Sequence, residues 1–261
     1  MVLSRTIDGR ARAGLDRGVS TDAALSLPDA VLRPASGNAF EATVEQLATA
    51  IRLGVLRDGE LLPPERMLAE QLGVSRSTLR EAIAALRDHG LITTRRGRGG
   101  GSVVTYAGPD LDPAATPARP IRVGPALLDV LDFRRIVEPG AAALAASRTL
   151  AADQRAWLLE AMAEVSSAPD DSAHRLADAR LHLAIATVAG SPMLIESVTR
   201  AQAALGELLA AIPVLRTNIA HSNDQHEAVV RAILSGDTRT ARAAMEEHCD
   251  ATAALLRGLI G

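Results

Sequence analysis

LPPERMLAEQLGVSRSTLREAIAALRDHGLITTRRGRGG, running from Leu62 to Gly100, decides the fold. Pro64 suits the first turn of a helix, where its missing amide costs little, and the spacing predicts that helix from Glu65 to about Leu72. It would bury Met67, Leu68 and Leu72 and stop at Gly73. Ser75 is placed to cap a second helix reaching about His89, with Gly90 as its stop. Leu79, Ile83 and Leu86 recur at i, i+4 and i+7 and form an apolar stripe, while Arg76 and Arg80 lie one turn apart on another face. Leu91 to Thr94 and Ser102 to Tyr106 are β-prone runs joined by RRGRGGG, which reads as a hairpin with a basic, glycine-rich tip.

Outward from this stretch, Val44, Leu47 and Ile51 predict a helix over Phe40–Gly54. Residues 1–38 mix Gly, Arg, Ser, Asp and Pro without sustained periodicity and are expected to be a disordered extension outside any core. Pro109, Pro113, Pro117 and Pro120 mark a linker over 107–122. From 123 to 261 the pattern is amphipathic throughout and predicts six or seven helices. Their breaks are expected at Glu138-Pro139-Gly140, Leu150 to Asp153, Ala168 to Asp171, Gly190 to Pro192, Pro213 and Ser235-Gly236-Asp237. The expected fold class is mainly α. A winged helix-turn-helix over 39–106 precedes an all-α antiparallel bundle.

Composition agrees with that class. Of 261 residues 48% are hydrophobic but only 2% aromatic, which favours helix packing over a sandwich or barrel. The net charge of −3 hides a division. Arg66 to Arg98 holds seven arginines against Glu70, Glu81 and Asp88, whereas 121–261 holds 13 arginines against 17 acidic residues. A basic window of this kind suits phosphate contact by one module and not the other. Cys249 is the single cysteine, Met1 to Arg17 has no apolar core of a signal peptide, and no run of about 18 apolar residues occurs, so a soluble cytoplasmic protein is expected, with no membrane partner.

Two short helices around Gly73-Val74-Ser75 have the helix-turn-helix spacing in which the second helix presents its N-terminal residues to the major groove. Arginine suits that place because its planar fork bonds guanine or phosphate, and Ser or Thr hydroxyls bind phosphate oxygens. Arg96 and Gly97 at the hairpin tip could enter the neighbouring minor groove. The proline turn before Glu65-Arg66, the GVSR turn, the LREA helix and the GLI strand before a glycine-rich tip together resemble the DNA-binding domain of the GntR family, over about Phe40 to Tyr106. The resemblance implies Arg66, Arg76 and Arg80 as principal DNA contacts, supported by Ser75, Ser77, Thr78, Arg96 and Gly97. It further implies a homodimer on a palindromic operator in double-stranded DNA.

In the C-terminal half, Asp178 and His182 are four apart and share a helix face. His226 lies ten residues before Gly236 and His248 twelve after it. In an antiparallel hairpin the two would stand roughly 15 and 18 Å from the turn, at similar heights. Three imidazoles and a carboxylate suit Zn, Ni, Mn or Fe; a core histidine satisfied by its neighbours is the alternative at each position. FRRIVEPGAAALAASR, LADARLHLAIATVAGSPML and HEAVVRAILSGDTRTARAAMEEH resemble segments of the FCD-type effector domain of the FadR subfamily, over about Leu127 to Leu256. That resemblance implies a divalent metal, zinc first, on Asp178, His182, His226 and His248. It implies a small carboxylate effector met by Arg134, and a repressor that releases DNA when the effector binds. Arg134 could instead form a structural ion pair with Glu138. Ser191 departs from the asparagine many relatives carry after the glycine, His174, one turn before Asp178, could compete as a ligand or act behind the metal ligands although the resemblance does not select it, and His89 and His221 are expected at the surface. An enzyme is not expected, since His226-Glu227 lacks the second histidine of a HExxH site and no nucleophile is evident. A direct metal sensor and a metalloenzyme with an accessory winged helix are the rival readings.

Overall fold

The computed structural model describes residues 26–34, 38–97, 99–109, 125–210 and 216–260. Helix α2 (Ala39–Arg52) is capped by Asn38, whose side chain accepts from the Phe40 amide, and it buries Leu47 and Ile51. Helix α3 (Glu65–Leu72) ends on Gly73, whose φ of 66° is left-handed and favours a residue without a Cβ. Helix α4 (Arg76–Asp88) turns Leu79, Ala82, Ile83 and Leu86 inward, and its N-cap Ser75 accepts from the Thr78 amide. Met67 is not buried as expected but 53% exposed. The inward face of α3 is made by Leu68, Ala69 and Leu72, and Met67 falls a third of a turn off it.

The hairpin pairs β1 (Ile92–Arg95) with β2 (Gly101–Val104) in antiparallel register, Ile92 opposite Val104 and Arg95 opposite Gly101. The chain before α3 runs along the other side of β2, with Leu61 bridging Val103 and the Leu62 amide donating to Ser102 O at 2.8 Å. Gly100 is pressed so closely on the Arg95 carbonyl that a Cβ there would collide with it. Arg98 lies outside the described residues.

The extension expected over 1–38 is corrected in its final part, residues 1–25 and 35–37 lying outside the described residues. Leu27–Val31 form a short helix, α1, capped by Ser26. Leu27 and Leu32 are buried in one continuous apolar cluster with Leu47 and Ile51 of α2 and with Ala179, Leu183, Ile195 and Val198 of the second half. Two leucines five apart carry no recognisable period, so the segment reads as coil until its tertiary partners are known.

Among the described residues six helices follow: α5 (Pro125–Ala146), α6 (Ala152–Ser166), α7 (Asp171–Val188), α8 (Pro192–Leu209), α9 (Arg216–Ser235) and α10 (Thr238–Ile260). The break expected at Glu138-Pro139-Gly140 is absent, and α5 runs through Pro139. One proline removes a single helical hydrogen bond. Here α5 is packed by α7, α8, α9 and α10, and that burial outweighs the loss. Helix α7 is buried on every side from Leu181 to Val188 and forms the axis of the bundle. Between α9 and α10, Gly236 takes φ 77° and Asp237 caps the Thr240 amide at 3.0 Å, which closes the hairpin that carries two histidines. The break expected at Pro213 lies outside the described residues, as do linker residues 110–122.

The two halves touch through more than α1. Arg57, which follows α2, reaches Glu164 of α6 at 2.8 Å, and Glu164 also holds Arg180 of α7 at 3.0 Å.

Candidate nucleic-acid interface and candidate metal centre

At the front of α4, Ser75 Oγ stands 2.7 Å from Ser77 Oγ and 2.8 Å from Thr78 Oγ1, so three hydroxyls form one cluster beside Arg76. Ser75, Arg76, Ser77 and Arg80 are exposed and Thr78 is half-buried. Arg80 Nε donates to Glu65 Oε2 at 2.7 Å, and Arg66 Nη1 to Glu70 Oε1 at 2.9 Å, with the arginines 61% and 67% exposed. Ion pairs so open to water are worth about 0–1 kcal/mol, so a phosphate or a guanine edge can displace either carboxylate cheaply. Arg96 and Gly97 are exposed at the hairpin tip, and Gly97 takes φ 102°. Arg95 holds that tip from behind, its Nη2 donating to Gly99 O at 3.1 Å. The eight residues singled out in the sequence thus form two solvent-facing groups, one on α3 and α4 and one on the hairpin.

The bundle does the opposite with its polar residues. His182 of α7, His226 of α9 and His248 of α10 are all buried and bring one ligand atom each within 4.8 Å of the others. His182 Nε2 and His226 Nε2 are 3.2 Å apart, close to the about 3.4 Å that separates two nitrogens bound tetrahedrally to one ion. Asp178 approaches two of the three, its Oδ1 3.4 Å from His226 Nε2 and its Oδ2 3.9 Å from His182 Nε2.

The surroundings set each ring. His248 Nδ1 donates to Gln225 Oε1 at 3.3 Å, which leaves the lone pair on Nε2, and that buried atom has no hydrogen-bond partner among the described residues. His182 Nδ1 lies 2.7 Å from Glu138 Oε2 without the alignment of a hydrogen bond, so the carboxylate is close enough for the carboxylate–imidazole pairing that orients metal-binding histidines once the ring turns. Burial holds His226 down at about 4, against the pull of Asp178, and drives His248 well below its ordinary value. Burial works against the Asp178 carboxylate, but His226 and His182 outweigh it and keep it ionised. Three clustered imidazoles, two of them disfavoured as cations by burial and one with an unpartnered Nε2, beside a carboxylate are a donor set that fits a divalent cation.

Glu138 is the residue that sequence reasoning undervalued. It accepts from Arg134 Nε at 3.2 Å and from Gln202 Nε2 at 2.6 Å while facing His182. Burial disfavours its charge, but Arg134 and His182 bring the carboxyl down to about 2. Nothing in the local sequence announces this role, because its partners lie on α7 and α8. Arg134 forms the ion pair with Glu138 and also lines a cavity of about 410 Å³ together with Asp178, Gln202 and His248. Its Nη1 is buried without a hydrogen-bond partner among the described residues. His174 lines the same cavity but is turned to Asn223 Oδ1 at 3.2 Å. Ser191 caps α8, while His89 and His221 are exposed.

Comparison with known proteins agrees with this architecture. Residues 40–101 match the family model described as bacterial regulatory proteins, gntR family, and residues 129–251 match the FCD domain. RmpR of Mycobacterium gastri, named as an HTH-type transcriptional regulator, is 33% identical over 217 residues, covering 80% of this chain and 76% of that one. A protein of Escherichia coli (strain K12) named as an L-lactate dehydrogenase operon regulatory protein is 32% identical over 212 residues, 74% of this chain and 76% of that one. The solved structure of E. coli McbR/YncC superposes with a TM-score of 0.52 at 20% identity, covering 85% of this chain and 99% of that one, which speaks for the fold alone. Among the described residues no helix is long and apolar enough to cross a membrane. The chain belongs to the GntR family of transcription regulators, joining its DNA-binding domain to an FCD effector domain.

Proposed function

We propose that this regulator is a cytoplasmic homodimer that represses from a palindromic operator and releases it when a small carboxylate binds beside a metal ion in the bundle. The observation that carries this reading is Arg134: a fully buried guanidinium that spends Nε on Glu138 and keeps Nη1 unpartnered at the cavity shared with His248 and Asp178. An unpaired buried donor costs free energy that an anionic ligand would recover.

Asp178, His182, His226 and His248 would hold the ion, zinc first and Ni, Mn or Fe as alternatives, and a bound ion would offer a Lewis-acidic point for a carboxylate or hydroxyl oxygen. Glu138 and Gln225 would keep two of the rings oriented, and Arg134 would neutralise the incoming charge. At the other end, Arg66, Arg76 and Arg80 with Ser75, Ser77 and Thr78 would read the major groove, and Arg96 and Gly97 the minor groove. Two such faces on a dimer fit half-sites about one DNA turn apart. One relative is named for an L-lactate dehydrogenase operon, which directs the first ligand trials to hydroxy acids.

The test is thermal stabilisation of the purified protein by small carboxylates, with its metal present and after chelation, followed by operator binding under the same conditions. A carboxylate that raises the melting temperature only with metal, and weakens operator binding, is the expected result. Operator binding that responds to the metal alone would replace this reading by direct metal sensing. Sustained turnover of a carboxylate would replace it by catalysis.

A further inference from the structure

Helix α7 carries two different stripes. Ser172, Leu176 and Arg180 recur every four residues and meet the DNA-binding half. Ser172 Oγ donates to Pro109 O at 2.7 Å. Arg180 Nη2 donates to Glu164 Oε2 at 3.0 Å, and the other oxygen of that carboxylate accepts from Arg57 Nη2 at 2.8 Å. Two glycines allow close approach of the backbone here. A Cβ on Gly54 would stand 2.7 Å from Arg180 Nη1 and 3.2 Å from Leu176 Cβ, and one on Gly108 would stand 3.0 Å from Ser172 Cβ. Helix α1 packs on α7 as well, with Leu27 and Leu32 in the same apolar cluster as Ala179 and Leu183. Asp178 and His182 form the second stripe. At 3.6 residues per turn it lies about 130° round the helix from the first. The cavity straddles the same joint: exposed Arg52, Leu53 and Tyr106 line it from the DNA-binding half, Asp178 and His248 from the bundle.

We propose that α7 is the coupling helix of the regulator: seating of the DNA-binding half on Ser172, Leu176 and Arg180, and occupation of the metal site at Asp178 and His182, favour each other. The inference rests on the metal reading above and adds how that site is linked to the DNA-binding half. From Leu181 to Val188 the helix is buried on every side. A helix gripped so closely shifts as a body, not one side chain at a time, so a displacement asked for by one stripe is felt at the other.

The direction of the coupling follows from what stands together here. The DNA-binding half is seated, and the three imidazoles already bring one ligand atom each within 4.8 Å of the others. The seated arrangement is therefore the one with the site assembled. Coupling between sites is reciprocal, so unseating the DNA-binding half lowers metal affinity by the factor by which the metal favours seating.

The test is zinc titration against a chromophoric chelator on the full-length protein, comparing wild type, the double variant Arg57→Glu with Gly108→Leu, and Arg87→Glu. The double variant sets a carboxylate against Glu164 and a side chain against Ser172, and neither position lines the cavity. Arg87 is exposed in the last turn of α4, so its reversal reports the change of charge alone. Added negative charge by itself favours a cation. A zinc dissociation constant at least about fivefold higher in the double variant than in Arg87→Glu, with melting curves showing both folded, is the expected result. In the wild type, saturating zinc should slow amide exchange across residues 27–33 by about the same factor. That second measurement needs no variant and decides the matter even if the double variant does not fold. Equal zinc affinity in the two variants, or exchange across 27–33 indifferent to zinc, overturns the proposal and leaves the metal reading in place. Failure of the wild type to bind Zn, Ni, Mn or Fe overturns both.

Discussion

Two arginine–glutamate pairs of identical helical spacing sit in the two halves of this molecule. Arg66–Glu70 in the DNA-binding domain spans 2.9 Å with side chains 67% and 65% exposed, and Arg134–Glu138 in the bundle spans 3.2 Å with 1% and 2% exposed. Spacing and residue types do not distinguish them; solvent does. In water the pair is a loose partnership that DNA can dissolve. In the bundle the same two groups cannot separate without stranding a charge, so Glu138 serves as a fixed point for Arg134, Gln202 and His182 together. A guanidinium meant to be exchanged is kept wet, and one meant to be pre-aimed is kept dry.

The sharpest way to break this comparison is to remove the carboxylate from each pair. Glu138→Ala should cost about 3–5 kcal/mol in urea unfolding, because it leaves a buried guanidinium uncompensated. A loss comparable to that of an exposed pair would mean that water already reaches Arg134. On the DNA side, Arg76→Ala and Arg80→Ala should each cost about 1–3 kcal/mol of operator affinity in a binding assay at fixed salt while leaving the unfolding midpoint unchanged. A shifted midpoint with intact operator binding would make those arginines structural. Smaller again is the contribution of Glu164, between Arg57 and Arg180. Burial opposes its charge, but hydrogen bonds from those arginines hold its carboxyl below the ordinary 4.5. A depressed carboxylate stabilises fully above its unfolded value and loses that contribution as pH falls through the lowered folded one. Melting curves of the wild type and Glu164→Gln should therefore be separated at pH 6 and converge below pH 4.5. Smallest is Glu70→Ala, expected within about 0.5 kcal/mol of wild type in unfolding. A larger effect would show that the exposed pair is not exchangeable after all.

The contrast also explains what could be read from the chain without coordinates. The helix-turn-helix is local: Ser75 caps, Gly73 and Gly90 stop, and Leu79, Ile83 and Leu86 mark one face, so every cue lies within a few residues of its effect. The α9–α10 hairpin was legible for the same reason, since Gly236 stands midway between His226 and His248, whose ring centroids lie 4.3 Å apart. Pro139 misled because a local rule was overruled by packing on all sides of α5, and α1 was invisible because two leucines have no periodicity. Glu138 could be paired with Arg134 by spacing, but its contacts to His182 and Gln202 are made across space. The lining of the cavity by Arg52 and Tyr106 joins residues of one domain to a site in the other, and no pattern along the chain encodes such a meeting.

The docking of Leu27 and Leu32 into a cluster shared by α2, α7 and α8 bears on cooperativity. Hydrophobic side chains from both halves lose their packing together if that segment is pulled out. Heat should consequently melt the intact molecule in a single transition, with the short helix ahead of the DNA-binding domain acting as the rivet between two bodies that would otherwise come apart one after the other.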